Sequence, residues 1–482
     1  MKKTYITSAI LAALIAASIT GCGNTASNDS TPAAANTSSE ISSEKETTNS
    51  TEAKTSETIS ELSNNKSSED IFTERDLEQT ADTSEAQDIT VADNKTIDIT
   101  NEGVYVISGT AKNCTIKVNA DDKAKVQLVL DGVSITNDDF PAIYVVSADK
   151  VFVTTTDSEN SLTVSGEFTA DGETNTDAVI FSKDDLVLNG TGTLNITSDY
   201  GNGVTCKDDM KITGGTYNMN SALDAFEAND SISISDGKFN INTKKDGFHC
   251  ENDETGGTIT VTGGTFEIEG VSDGFQACAL LQIDGGDITV NAAEGLEATY
   301  ILINDGNISI YASDDGINAS TTTNAYDTAV EINGGNINVE VGPGDTDAID
   351  SNGSIYVNGG TINVTAQMSS FDYDQTAEFN GGTIIINGTE VSEIPQSMMG
   401  GGMHGGMRGG MNGEMDGGMR GGMNGEMDGG MRGGMNGEMD GSMRGDMNGE
   451  MDGSMRGRMR GGMNSDTNSN IVSETDEENQ IF

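Results

Sequence analysis

Between Met210 and Gly382 the chain repeats one short phrase eight times: apolar residues spaced by one, then a glycine corner, as in "MKITGG", "ITVTGG" and "VEINGG". The last glycines are Gly215, Gly237, Gly264, Gly286, Gly306, Gly335, Gly360 and Gly382, with gaps of 22, 27, 22, 20, 29, 25 and 22 residues. A unit this short cannot bury its own apolar side chains, so successive units must stack as a solenoid. On both sides of each glycine the apolar residues alternate with period two, the pattern of short strands with one face inward. Ile259 and Val261 precede Gly264, for example, and Phe266 and Ile268 follow it. Each coil therefore has two strands, joined at a corner where glycine supplies a positive φ.

A second phrase, seen as "KDGFHC", "SDGFQA", "AEGLEA" and "SDDGINAS", gives the third side. Counted from the corner glycine, its acid falls nine residues on at Asp224, Asp246, Asp273 and Asp315, eight on at Glu294 and twelve on at Asp347. Three short strands per coil make an all-β, right-handed parallel β-helix with coils about 4.8 Å apart. Column arithmetic then places Val204, Phe226, Phe248, Phe275, Leu296, Ile317 and Ile349 in one inward stack. A small inward column holds Cys206, Ala228, Cys250, Ala277, Ala298, Ala319 and Ser351. Cys206 and Cys250 are thus two coils apart, beyond disulfide reach, and no bridge is expected between Cys114 and Cys278.

The acids of the phrase stack as well. Two unit charges 4.8 Å apart repel by roughly 3–4 kcal/mol at an effective dielectric of 20, so the carboxyls must protonate, splay into water or hold cations. Three residues after each acid a second, outward column runs through Thr205, Glu227, His249, Gln276, Glu297, Asn318 and Asp350. At four coils the two columns pair oxygen donors: Asp224 with Glu227, Glu294 with Glu297, Asp315 with Asn318, and Asp347 with Asp350. With Asp246 and Asp273 these form the candidate ligand set for Ca²⁺, which takes hard oxygen donors. Asp-Gly is also a favoured turn in which the acid bonds its own backbone. That reading leaves unexplained why Asp246–Glu393 carries 25 acids and neither Lys nor Arg. His249, the only histidine of the domain, reads as a surface residue.

The ends have different compositions. Met1-Lys2-Lys3, an apolar run from Ile6 to Ile19 and "ITGC" read as a secretory signal over residues 1–21, with Cys22 as the lipidated new N-terminus. The expected location is the extracellular face of the cell membrane, lipid-anchored at Cys22. Residues 22–87, rich in Ser, Thr and Glu, read as a disordered linker, and residues 88–393 as the β-helix. Residues 394–482 read as a disordered tail, in which Met398–Met463 repeats "GGMRGGMNGEMD"; its thioethers suit Cu(I) or serve only a flexible spacer. A net charge of −53 makes nucleic acid a poor partner.

The ordered run "LVLDGVSITNDDFPAIYVVSADKVFVTT", then "SKDDLVLNGTGTLNITSDYGNGVTCKDDMKITGGTY", then the acid-Gly coils, resembles the bacterial carbohydrate-binding β-helix domain of cellulolytic clostridia over about residues 88–392. The resemblance implies a pectate-lyase-like fold, Ca²⁺ at the acid-Gly coils and non-catalytic binding of plant cell-wall polysaccharide such as polygalacturonate. Ala225 and Ala348 in place of glycine, and Asn202 in place of the acid, depart from the pattern.

Two other readings stay open. A polysaccharide lyase would need a base, and no arginine lies between Arg75 and Arg408, leaving only lysines from Lys95 to Lys245. A hydrolase needs paired carboxylates at one fixed separation, whereas acids recur here on every coil. A structural adhesin or spacer fits the same repeats. For sugar hydroxyls the outward positions beside the second strand present Asn218, Asn240, Thr289, Asn338 and Asn363, which otherwise form a coil-to-coil ladder.

Overall fold

The structure is a computed structural model and describes residues 71–252, 256–344 and 346–395. The signal segment, Cys22 and the methionine repeats lie outside these residues. Within the described residues thirty-four strands build one parallel β-helix. Strands of the same side pair in parallel from coil to coil, and one antiparallel pair, Thr383–Ile386 with Thr389–Val391, closes the C-terminal end.

The register is that of the sequence columns. Val204 pairs with Phe226, Phe226 with Phe248, Phe248 with Phe275, Phe275 with Leu296, Leu296 with Ile317 and Ile317 with Ile349. Phe371 continues this buried stack one coil further, opposite Ile349. All eight corner glycines have positive φ, from 80° at Gly360 to 137° at Gly237, where a side chain would be strained.

Inside the helix two aromatic columns interlock. Phe226, Phe248 and Phe275 stack with centroids 4.9 Å apart. Tyr217, Phe239 and Phe266 stack beside them at 5.3 and 4.6 Å. Across the columns the rings meet edge to face, as at Phe239 and Phe248, 5.5 Å apart at 78°. Stacking along the axis follows from the coil spacing, and the crossed contacts add roughly 0.5–1.5 kcal/mol each beyond burial. Cys206, Ala228 and Cys250 share one column with Ala228 between the thiols, and Cys114, Cys206 and Cys250 are buried free thiols.

One boundary is corrected. Residues 71–86, assigned by composition to the solvated linker, are docked on the outer face of the helix. Asp76 is fully buried, with Lys150 Nζ at 3.4 Å and Lys211 Nζ at 3.1 Å. Burial would raise its carboxyl, but the Thr73 amide and the two ammonium groups outweigh this and hold it below the usual range. Gln79 donates to the Thr213 carbonyl at 2.9 Å and accepts from the Gly190 amide at 2.9 Å, while the Arg75 guanidinium covers the Phe152 ring at 4.5 Å. Buried Phe72 and Asp76 anchor this segment.

Candidate functional site

The acid-Gly phrase is not a turn. Three of the acids, Asp224, Asp246 and Asp315, reach across to the next coil and accept the backbone N–H of the residue stacked on them. Asp224 Oδ1 accepts from Asp246 N at 3.0 Å, Asp246 Oδ1 from Asp273 N at 3.0 Å, and Asp315 Oδ1 from Asp347 N at 2.7 Å. Asn202 fills the same place with its amide oxygen, 2.9 Å from Asp224 N. Asn202 therefore does the structural half of the acid's work without the charge. The glycine after the acid is needed for space: a Cβ on Gly247, Gly274, Gly295 or Gly316 would lie 2.5 or 2.6 Å from a carbonyl oxygen of the next coil. Ala225 and Ala348 show that two coils take the methyl, both fully buried.

In the first coils the carboxylates are met by the protein's own cations. Glu227 is 2.9 Å from Lys207 Nζ and also accepts from Asn202 and from Thr205 Oγ1. Lys245 Nζ lies 2.9 Å from Asp224 Oδ2 and 3.6 Å from Asp246 Oδ2. The expectation that His249 is a surface residue is corrected: its side chain is only 12% exposed, and Nδ1 sits 3.4 Å from Asp224 Oδ2. It is inside because Asp224 sits behind it, one coil back. Burial pushes Asp224 up, but the hydrogen bonds from His249 and Lys245 overcome this and hold it low. Asp246, buried beside the charged Asp224, is raised. Asp224, Asp246 and His249 still bring ligand atoms within 4.8 Å of one another, with the Lys245 ammonium among them.

From Asp273 onward the described residues supply no lysine or arginine. Here the ladder also loses a rung, because the Glu294 amide donates to the Ser272 carbonyl at 3.2 Å. The Asp273 carboxylate instead gathers with Glu294 and Glu297, all three offering oxygens within 4.8 Å of one another. Burial, then the charges of Asp246, Glu294 and Glu297, push Asp273 up to about 8. Burial and the neighbouring Glu297 and Asp315 carry Glu294 to about 7, against the Asn318 amide that donates to it at 2.9 Å. Glu297 accepts from Gln276 at 2.7 Å and Ser320 at 2.9 Å. Asn318 Oδ1, shielded from solvent, accepts no hydrogen bond. One coil on, Asp350 is raised to about 7 by burial, Asp315, Asp347 and Asp372. Asp372, opposite Asp350, extends the outward column by a coil that the spacing argument missed.

This donor set matches a hard cation. Two oxygens bound to one Ca²⁺ at 2.3–2.6 Å lie at most about 5.2 Å apart, and the Asp273, Glu294 and Glu297 oxygens satisfy that. The asparagine face behaves largely as a ladder: Asn218 donates to Asn195 at 2.8 Å and Asn240 to Asn218 at 2.7 Å.

A model of the carbohydrate-binding domain-containing protein family matches residues 93–348 and again 299–419. The chain belongs to that family. A relative from Acetivibrio thermocellus, also described as a carbohydrate-binding domain-containing protein, is 36% identical over 124 residues, 25% of this chain and 43% of that protein. This chain thus spans less than half the length of that family relative. The solved structure of a polysaccharide lyase-like protein from C. thermocellum, a gadolinium derivative, aligns with 64% of this chain and 96% of its own, at 23% identity and a TM-score of 0.28.

Proposed function

We propose that this protein binds acidic polysaccharide, such as polygalacturonate, through Ca²⁺ held on the acid columns, and that it does so without cleaving the chain. The carrying observation is the change along one ladder, from acids paired with Lys207, Lys245 and His249 to the cation-free group of Asp273, Glu294 and Glu297. Asp273, Glu294, Glu297 and Asn318 would hold one ion, and Asp315, Asp347 and Asp350 continue the oxygen surface. Asp224, Glu227 and Asp246 are proposed as ligands only in competition with the lysines that already meet them. A bound divalent ion supplies positive charge at a surface that would otherwise repel a uronate.

The non-catalytic reading is supported by the lysines. At the acid ladder itself Lys207 and Lys245 are each in ion pairs with the acids, so neither stands there as a free base. Membership of a carbohydrate-binding family supports the same reading. Anchoring through Cys22 to the outer face of the membrane is part of the proposal and rests on the lipobox-like "ITGC". The test is a panel of acidic and neutral polysaccharides assayed with Ca²⁺ and with chelator. Retention of polygalacturonate in Ca²⁺ and its release by chelator is expected; equal retention in both would reject the metal-bridged mode.

A further inference from the structure

Large apolar side chains left in water are unusual on this protein, and their placement is not scattered. Tyr200 is 54% exposed, Leu223 40%, Val271 66% and Met368 58%. Each stands one or two residues before a position of the acid ladder: Tyr200 before Asn202, Leu223 before Asp224, Val271 before Asp273, and Met368 before Ser369, which pairs with Asp347. These four are most of the exposed large apolar residues among those described; Leu77 and Tyr311 are the others. Lys245 takes the same place on the coil between Leu223 and Val271. Its ammonium turns to Asp224 and Asp246 while the side chain remains 42% exposed. On four consecutive coils the corner therefore carries Tyr200, Leu223, the Lys245 side chain and Val271, a strip spanning three coil spacings, roughly 14 Å.

Apolar residues exposed singly need no explanation, but a row of them beside a polar, charged column does. Beyond the ladder, on the other side from this strip, lie the outward groups of Glu227 and Gln276, half-buried and able to meet hydroxyls. A pyranose ring has the matching two-sided chemistry, an apolar C–H face and a rim of hydroxyl or carboxyl groups.

We propose that Tyr200, Leu223 and Val271, with the Lys245 side chain, are the strip on which the glycan lies, C–H faces down, its chain running along the helix axis and its polar rim turned to the outward column. This rests on the carbohydrate-binding reading and adds the face, the direction and the residues. Tyr200 supplies a ring for stacking, Leu223 and Val271 supply aliphatic contact, and the ammonium of Lys245 marks where the strip meets the acids.

The test is the full chain with Tyr200→Ser, Leu223→Ser and Val271→Ser together, compared with wild type for binding to polygalacturonate and to a neutral β-glucan in Ca²⁺. The three side chains are exposed, so the thermal midpoint should be unchanged. Polysaccharide affinity should fall roughly tenfold or more, because a few contacts carry most binding energy. Tyr311→Ser, exposed on a different strand face, should bind as wild type does. Wild-type affinity in the triple variant would overturn the strip while leaving the binding function in place. Failure of wild type to bind any polysaccharide would overturn the function and the strip together. Light scattering on both proteins covers the remaining occupant: a wild-type dimer that becomes a monomer in the variant, with glycan affinity unchanged, would make the strip a self-association surface and overturn the proposal.

Discussion

Lys245 Nζ lies 2.9 Å from Asp224 Oδ2 and is the last lysine before the acid column runs on without one among the described residues. One ladder is thereby neutralised in two ways. Upstream the counter-charge is covalently part of the chain; downstream it must come from protons or from solution.

Lys245→Met should make the upstream half behave like the downstream half. Breaking one side of a fully buried ion pair costs about 3–5 kcal/mol, and the partial exposure of this lysine reduces that to roughly 1–3 kcal/mol. Added Ca²⁺ should recover part of the loss by taking the place of the ammonium between Asp224 and Asp246. Urea melts of both proteins with Ca²⁺ and with chelator measure this, and an undiminished stability in Lys245→Met would remove the counterion role.

Stability in chelator should fall as pH rises. Asp273, Glu294 and Asp350 have folded pKa values of about 8, 7 and 7, above the ordinary carboxyl value near 4. A carboxyl raised on folding binds its proton more tightly in the native state, so its contribution is fully present below about pH 4 and is lost as pH rises through the folded value. Thermal midpoints in chelator should therefore decline most between about pH 4 and pH 8. In Ca²⁺ the decline should flatten, because the metal takes over from the proton. A flat profile in chelator would contradict the clustered-acid description.

Asp315→Asn with Asp350→Asn should separate charge from structure. Asn202 shows that an amide oxygen caps the next coil at 2.9 Å, against 2.7 Å for Asp315, so the double variant should keep its fold. Polygalacturonate binding in Ca²⁺ should weaken by roughly tenfold while binding to a neutral glucan stays within about twofold. Equal loss for both sugars would mean that these acids do not discriminate charge.

Purified full-length protein incubated with polygalacturonate and Ca²⁺ should release neither 4,5-unsaturated ends nor new reducing ends. Ultraviolet absorbance and a reducing-sugar assay follow the two products. Sustained release of either one, abolished by a single substitution in the columns, would make the protein an enzyme.

The sequence showed the parts of this structure that repeat, and hid the parts where one coil differs from the next. The stack from Val204 to Ile349 and the corner glycines from Gly215 to Gly382 were legible because burial and positive φ recur with the coil. The function of the acid-Gly phrase was harder to see: a side chain capping the next coil and one capping its own turn have the same local sequence. His249 looked like a surface residue because its burial depends on Asp224, 25 positions earlier. Lys245 left a usable signal, since the lysines stop there. The docking of residues 71–86 also left one, in Ile71, Phe72 and Leu77 standing within a polar stretch. What no spacing argument reached was the lost rung at Asp273, where an aspartate gives way to the longer Glu294 and the carboxyls gather.

Calorimetric titration of Ca²⁺ into the chelator-stripped full chain, wild type against Asp273→Asn with Glu294→Gln, tests the central claim most directly. Wild type should bind Ca²⁺ saturably, and the double variant, in which the neighbouring carboxylates are neutralised without loss of volume, should lose at least one site. Identical isotherms for the two proteins, or no Ca²⁺ binding by wild type, would contradict the assignment of these acids to a metal.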